Sequence, residues 1–307
     1  MLKKLARCVR EYKTPTILTL LLIVGEAVVE CIIPFITANL INTIKEGAPI
    51  GEVVKTGLIL VAMAIFSLAC GGLAGFTCSK ASAGFAKNVR SDLFAKVQSF
   101  TFVNIDKFSS SSLVTRLTTD VQNVQMSFMM IIRTAVRSPL MLIFSCIMAY
   151  IMGGALATTF VIIIPVLGVG LYIIGRRAMP AFRAVFHKYD RLNESIEENV
   201  RGMRVVKGFS REEDEKEKLG REAESIRRDF TRAERIVAMN NPLMQICMYF
   251  NMTFVLIVGS KLIISNRGTT INVGQMSAML NYGMQILMSL MMISMIYVIL
   301  TMSAESA

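Results

Sequence analysis

The chain has 307 residues, 53% of them hydrophobic and only 18% charged, with a mean hydropathy of +0.55. That balance is too apolar for an ordinary soluble domain and places the chain in a bilayer. Its net charge of +11 is read as membrane topology and attraction to lipid surfaces; nucleic-acid binding is set aside, because no aromatic or motif signature accompanies the basic residues.

In chain order, residues 1–13 read as an interfacial elbow helix, with Leu2, Leu5, Val9 and Tyr12 near one face and Lys3, Lys4, Arg7 and Arg10 on the other. The apolar run that follows is far too long for a secretory signal, so nothing is expected to be removed. Thr14 is the expected N-cap of the first span, with Pro15 at its first helical position. A spanning helix needs roughly 20 apolar residues, and six stretches qualify: 16–44, 53–78, 134–151, 155–174, 236–265 and 275–301.

Glu26 and Glu30 fall about half way along the first stretch and, four residues apart, share a helix face. An acid at that depth needs the bundle interior, a wet cavity or a basic partner, unless the outer half of the helix leaves the membrane. In the last stretch Met284, Met288, Met291, Met292 and Met295 recur at helical spacing, and Asn281 and Gln285 lie four apart. Methionine adapts to irregular apolar ligands; helix packing or lipid exposure accounts for the stripe equally well.

Of the 33 Lys and Arg residues, most lie before Pro15 and in two long loops, whereas the short connections 45–52, 152–154 and 266–274 hold only Lys45 and Arg267. The positive-inside bias then puts both termini and both long loops in the cytoplasm of a multi-pass plasma-membrane protein. The loops read as helix. Phe85, Val89, Leu93, Val97 and Phe100 form one apolar stripe, Phe182, Phe186, Tyr189, Leu192, Ile196, Val200 and Met203 a second, and Leu219, Ala223, Ile226, Phe230 and Ala233 a third. At about 1.5 Å per residue such extensions reach some 30 to 45 Å beyond the membrane. Each loop must reverse: Ser109 to Ser112 and a capping box at Thr119 and Gln122 mark the first reversal, and Ser210 with Glu213 the second.

Chemistry is harder to place. Cys8, Cys31, Cys70, Cys78, Cys146 and Cys247 show no metal-ligand spacing and His187 is the one histidine, so neither a metal site nor a catalytic residue is expected. No G-x-x-x-x-G-K-[ST] phosphate loop, no H-E-x-x-H and no Gly-x-Ser-x-Gly occurs.

Two motifs carry a family resemblance. Asp106-Lys107-Phe108 leading into Leu113-Val114-Thr115-Arg116-Leu117-Thr118-Thr119-Asp120 resembles the first intracellular loop of ATP-binding cassette exporters. Tyr189-Asp190-Arg191-Leu192-Asn193 and Glu197 to Glu212, with Asn199-Val200-Arg201-Gly202-Met203-Arg204-Val205-Val206-Lys207-Gly208-Phe209-Ser210-Arg211, resembles the second. Arg133, Arg137-Ser138-Pro139-Leu140, and Glu30 before Pro34 are similar to bacterial multidrug-type members. The chain departs from the pattern at Ser111 and Ser112, where many members carry a Gly-acidic pair, and at Gly208, where Ala is common.

The resemblance implies an all-α membrane protein of six transmembrane helices with long cytoplasmic helical extensions and two coupling helices, the type I exporter fold, also called type IV. Residues 14–307 would be the transmembrane domain of a half-transporter. A nucleotide-binding domain is expected to be absent from this chain and supplied by a continuation or a separate chain. ATP and Mg would bind there, with no cofactor in this chain. A second half, identical or not, and membrane lipids are the other partners implied. Residues 113–118 and 209–214 would be the coupling helices, with Leu113, Thr115, Arg116 and Leu117 in one and Phe209, Ser210, Arg211 and Glu212 in the other; taken alone, both arginines also read as ordinary surface charges. Glu26, Glu30, Asn281, Gln285, Met284, Met288 and Met291 are the candidate cavity residues. The rival reading is an ATP-independent channel or membrane scaffold subunit.

Overall fold

A computed structural model describes the backbone of residues 7–101, 110–265 and 271–306, and among these no strand occurs. The long helices are α1 (Lys13–Lys45) and α2 (Ile50–Gln98), then α5 (Val136–Gly153), α6 (Thr158–Arg201), α8 (Glu212–Ala238), α9 (Asn240–Ser265) and α10 (Val273–Ser306). Shorter pieces are α3 (Ser110–Thr115), α4 (Val121–Met130) and α7 (Met203–Gly208). Six continuous helical stretches are long and apolar enough to cross a membrane, as the hydropathy pattern requires, and the chain is a multi-pass membrane protein.

Helix starts and reversals differ from the sequence reading. Thr14 is not an N-cap: α1 begins at Lys13 after Tyr12, which makes no side-chain cap bond. Pro15 is still tolerated, because N–H groups of a first turn have no intrahelical partner. The elbow residues 1–6 and the segment 102–109, with Asp106-Lys107-Phe108 and Ser109, lie outside the described residues. Val9 is buried against Phe85, Ala86 and Val89, so this end of the elbow packs on protein.

The capping box at Thr119 is also absent. The chain stays helical from α3 through a π turn at Arg116–Asp120 into α4, and the Thr118 hydroxyl donates back to the Val114 carbonyl. A short cross-helix ending at Leu117 is therefore replaced by a wide turn inside a continuous helix. In the second loop the short helix is α7, earlier than expected; Phe209 to Arg211 form the turn after it, and Arg211, not Ser210, precedes α8. Ser210 sits at φ 52°, the left-handed region that a reversing chain needs and that Gly208 was better suited to supply.

Two compact units divide the chain, Met1–Pro165 with Cys247–Ala307, and Val166–Ile246. The first has its core around Tyr282, Met279, Ile286, Val255 and Phe160, all buried. Its tightest helix approach is at Gly274, where any Cβ would collide with the Ala38 carbonyl and where the backbone N–H donates to Asn42 Oδ1 at 3.0 Å. Gly154, at φ 48°, ends α5. A second cluster joins α2 to α4 through Val89, Val121 and Val124, with the Phe85 and Phe128 rings stacked at 4.4 Å. In the other unit Val185, Ile226 and Ala233 are buried. Phe182 meets Phe230 edge-on at 6.0 Å, and Lys188 binds Asp229 and Ser225. Much of the apolar stripe of α6, including Phe186, Tyr189 and Val200, is exposed.

Candidate substrate cavity

The site begins at a proline. Pro34 lies inside α1 and has no N–H for the carbonyl four residues back, which is that of Glu30. Gln285 Nε2, on α10, reaches this carbonyl at 3.4 Å, and its Oε1 accepts a hydrogen bond from Ser145 of α5 at 2.9 Å. The next carbonyl along, Cys31, receives the Tyr282 hydroxyl at 2.8 Å. One weakened turn of α1 is thus held by two side chains of α10, three residues apart on one face.

The same turn carries the acids. Arg137 Nη2 donates to both Glu30 oxygens at 2.7 Å and lies 3.5 Å from Glu26. Side-chain exposures of 15% for Glu26, 29% for Glu30 and 36% for Arg137 put the group in a half-dry setting, where ion pairing matters more than at an open surface. Two carboxyl groups thus share one guanidinium, and Arg133 lines the same cavity as Arg137. Gly71 and Gly75, one turn apart on α2, make room for both: a Cβ at the first would press on the Glu26 carboxylate at 2.9 Å, and one at the second would touch the Arg133 guanidinium at 3.8 Å. Arg133 lies in a π turn, Ile131–Ala135, just ahead of Pro139, whose missing N–H weakens the helix at the same place.

These groups form one wall of a cavity of about 600 Å³. Arg133, Arg137 and Gln285, with Thr134, Ser138 and Ser289, supply its polar lining, and Met141, Met284 and Met288 are among its methionines. Of the residues expected to line a cavity, Met284, Met288 and Gln285 do so. Glu26 and Glu30 stand behind Arg137; Asn281 is exposed and donates to its own helix at Ser277, and Met291 is exposed outside the lining.

Arg137 was not named as the partner of the acids, although being the one basic residue in 134–151 was a signal that could have found it. Tyr282 and Ser145 carried no such signal, because nothing in their spacing shows that they face the Pro34 turn. Among the described residues no cluster of three or more His, Cys, Asp or Glu could hold a metal ion.

Comparison with known proteins decides the family. The model of the ABC transporter transmembrane region matches residues 16–291. The chain belongs to this family. It is 28% identical over 94% of its length to the uncharacterized ABC transporter ATP-binding protein YfiB of Bacillus subtilis, covering 50% of that protein. It is 24% identical over its full length to the uncharacterized ABC transporter ATP-binding protein MT1311 of Mycobacterium tuberculosis, covering 52% of it. The putative ABC transporter ATP-binding protein MG014 of Mycoplasma genitalium is 30% identical over 51% of this chain and 26% of its own length. The chain thus spans about half the length of the first two relatives.

As an ABC transporter membrane domain, the chain has two further segments of interest. Leu113, Thr115, Arg116 and Leu117 straddle the junction of α3 and the π turn. Phe209 is 75% exposed beside the left-handed Ser210, and Arg211 donates to Asp214 at 2.6 Å, which holds its guanidinium pKa above the ordinary value. Glu212 opens α8 together with Glu213, Asp214 and Glu215, acids that suit the positive end of the helix dipole.

Proposed function

We propose that this domain is the membrane half of an ATP-driven exporter of amphiphilic compounds. A second half, identical or different, completes the cavity, and nucleotide-binding domains on a continuation or a separate chain bind ATP and Mg. The observation that carries the reading is the methionine-lined cavity with a charged wall clamped at the broken turn of α1. Met284, Met288 and Gln285 contact the substrate. Glu26 and Glu30 act behind them, fixing Arg137, and the segments at Leu113 to Leu117 and Phe209 to Glu212 dock on the nucleotide-binding domains, so that their closure rearranges the spans. The protein sits in the plasma membrane with both termini and the docking segments in the cytoplasm.

Accumulation of an amphiphilic fluorescent probe in inside-out vesicles tests this reading. Uptake is expected to require ATP, and Met288→Trp, which fills the cavity, is expected to lower it at unchanged expression. Uptake that proceeds equally without ATP would support an ATP-independent channel and overturn the exporter.

A further inference from the structure

The second compact unit holds a groove that transport through the methionine-lined cavity does not use. The apolar run of α6 carries no charge from Thr158 to Gly175 and then meets Arg176 and Arg177; α8 delivers Arg232 and Arg235, after which the chain is uncharged until Lys261. Both changes from apolar to basic fall in one groove of about 780 Å³, where Arg177, Arg232 and Arg235 stand beside Ile173, Ile236 and Leu243. Gly170 sets its floor, since the Leu243 side chain packs where a Cβ would stand.

Most of its charge lacks a counterpart inside the groove. The lining contains no acidic residue. Glu234 lies between Arg232 and Arg235 in sequence but outside the lining, and Asp229, also outside it, is bonded to Lys188 and only secondarily attracts Arg232. Three exposed guanidiniums at one mouth repel one another until an anion arrives, and their planar forks suit a phosphodiester. The adjoining isoleucine and leucine surface asks for hydrocarbon. A free phosphate satisfies only the first requirement, whereas a phospholipid with a net negative headgroup satisfies both. The place fits as well, because a span that turns from apolar to arginine does so at the membrane interface, where basic pockets between helices meet lipid headgroups.

We propose that the groove between α6, α8 and the start of α9 binds one anionic phospholipid, its headgroup on Arg177, Arg232 and Arg235 and the upper part of an acyl chain along Ile173, Ile236 and Leu243. This holds whether or not the protein is an exporter.

The test is native mass spectrometry of the complete protein after equilibration with vesicles of equal parts phosphatidylcholine and phosphatidylglycerol. One phosphatidylglycerol per chain is expected to survive detergent stripping in preference to phosphatidylcholine. The triple variant Arg177→Gln, Arg232→Gln, Arg235→Gln is expected to hold it about a hundredfold more weakly. The corresponding triple lysine variant should retain most of it. A control with Arg201→Gln, Arg221→Gln and Arg227→Gln loses the same charge elsewhere and should bind as the parent does. Equal retention of both lipids, undiminished retention by the triple Gln variant, or a groove closed by a second copy of the chain in cross-linking at Met239→Cys would each overturn the proposal.

Discussion

At the scale of single residues, Arg137 carries the most consequence. Replacing one partner of a half-buried ion pair strands the other, so Arg137→Ala leaves two carboxyl groups without their cation in a half-dry wall. Partial exposure lowers the penalty, and a loss of about 2 kcal/mol is expected, read as a lower unfolding temperature in detergent. Glu26→Gln should cost much less than Glu30→Gln, because Glu30 makes both close bonds to Arg137 and Glu26 lies at 3.5 Å. Equal losses for the two Gln variants would show that the guanidinium is shared evenly. Gln285→Leu removes the donor to the Glu30 carbonyl and the acceptor of Ser145, and is expected to cost about 1 kcal/mol by the same measurement.

At the scale of elements, helix contacts turn on which positions lack a side chain. Gly274→Ala is expected to separate α1 from α10 and to reduce folded yield sharply, because the obstacle is the Ala38 backbone and cannot rotate away. Gly72→Ala, with nothing near its missing Cβ, should be neutral or slightly stabilising within a helix; fluorescence size-exclusion chromatography of the two variants side by side checks both outcomes. The six spans were legible because twenty apolar residues in a row have few other solutions. The apolar stripe at Phe85 and Val89, beyond the second apolar run, was legible from its period. The reversals were not: Thr119 and Ser210 have capping chemistry in their side chains, but a hydroxyl also bonds back along a continuous helix, as Thr118 does. Local spacing does not distinguish the two. The cavity was half legible, since Met284, Met288, Gln285 and the acid pair stood out by type, while the bond from Gln285 to α1 depends on a tertiary approach that spacing cannot express.

At the scale of the whole molecule, the segments proposed to dock on nucleotide-binding domains make the testable link between domain and nucleotide. Phe209→Ala and Leu117→Ala are expected to leave membrane insertion and folding intact while abolishing substrate-stimulated ATP hydrolysis in the assembled transporter. A large exposed apolar side chain such as Phe209 has little to do for the domain alone. Stimulation at the parent level in both variants would remove these segments from the coupling path. The length of α2 adds a mechanical consequence. Its 49 residues run unbroken, and the part beyond Cys78 extends about 30 Å past the apolar run. A rod of that reach moves its tip by about half an ångström for each degree of tilt, so a swing of about 5° displaces the tip by roughly 2.5 Å. The stacked Phe85 and Phe128 rings bind α2 to α4, and the two rods swing together. Motion at the tip is therefore geared down on its way into the membrane, toward Gly71 and Gly75, whose missing side chains leave the room that Glu26 and Arg133 occupy.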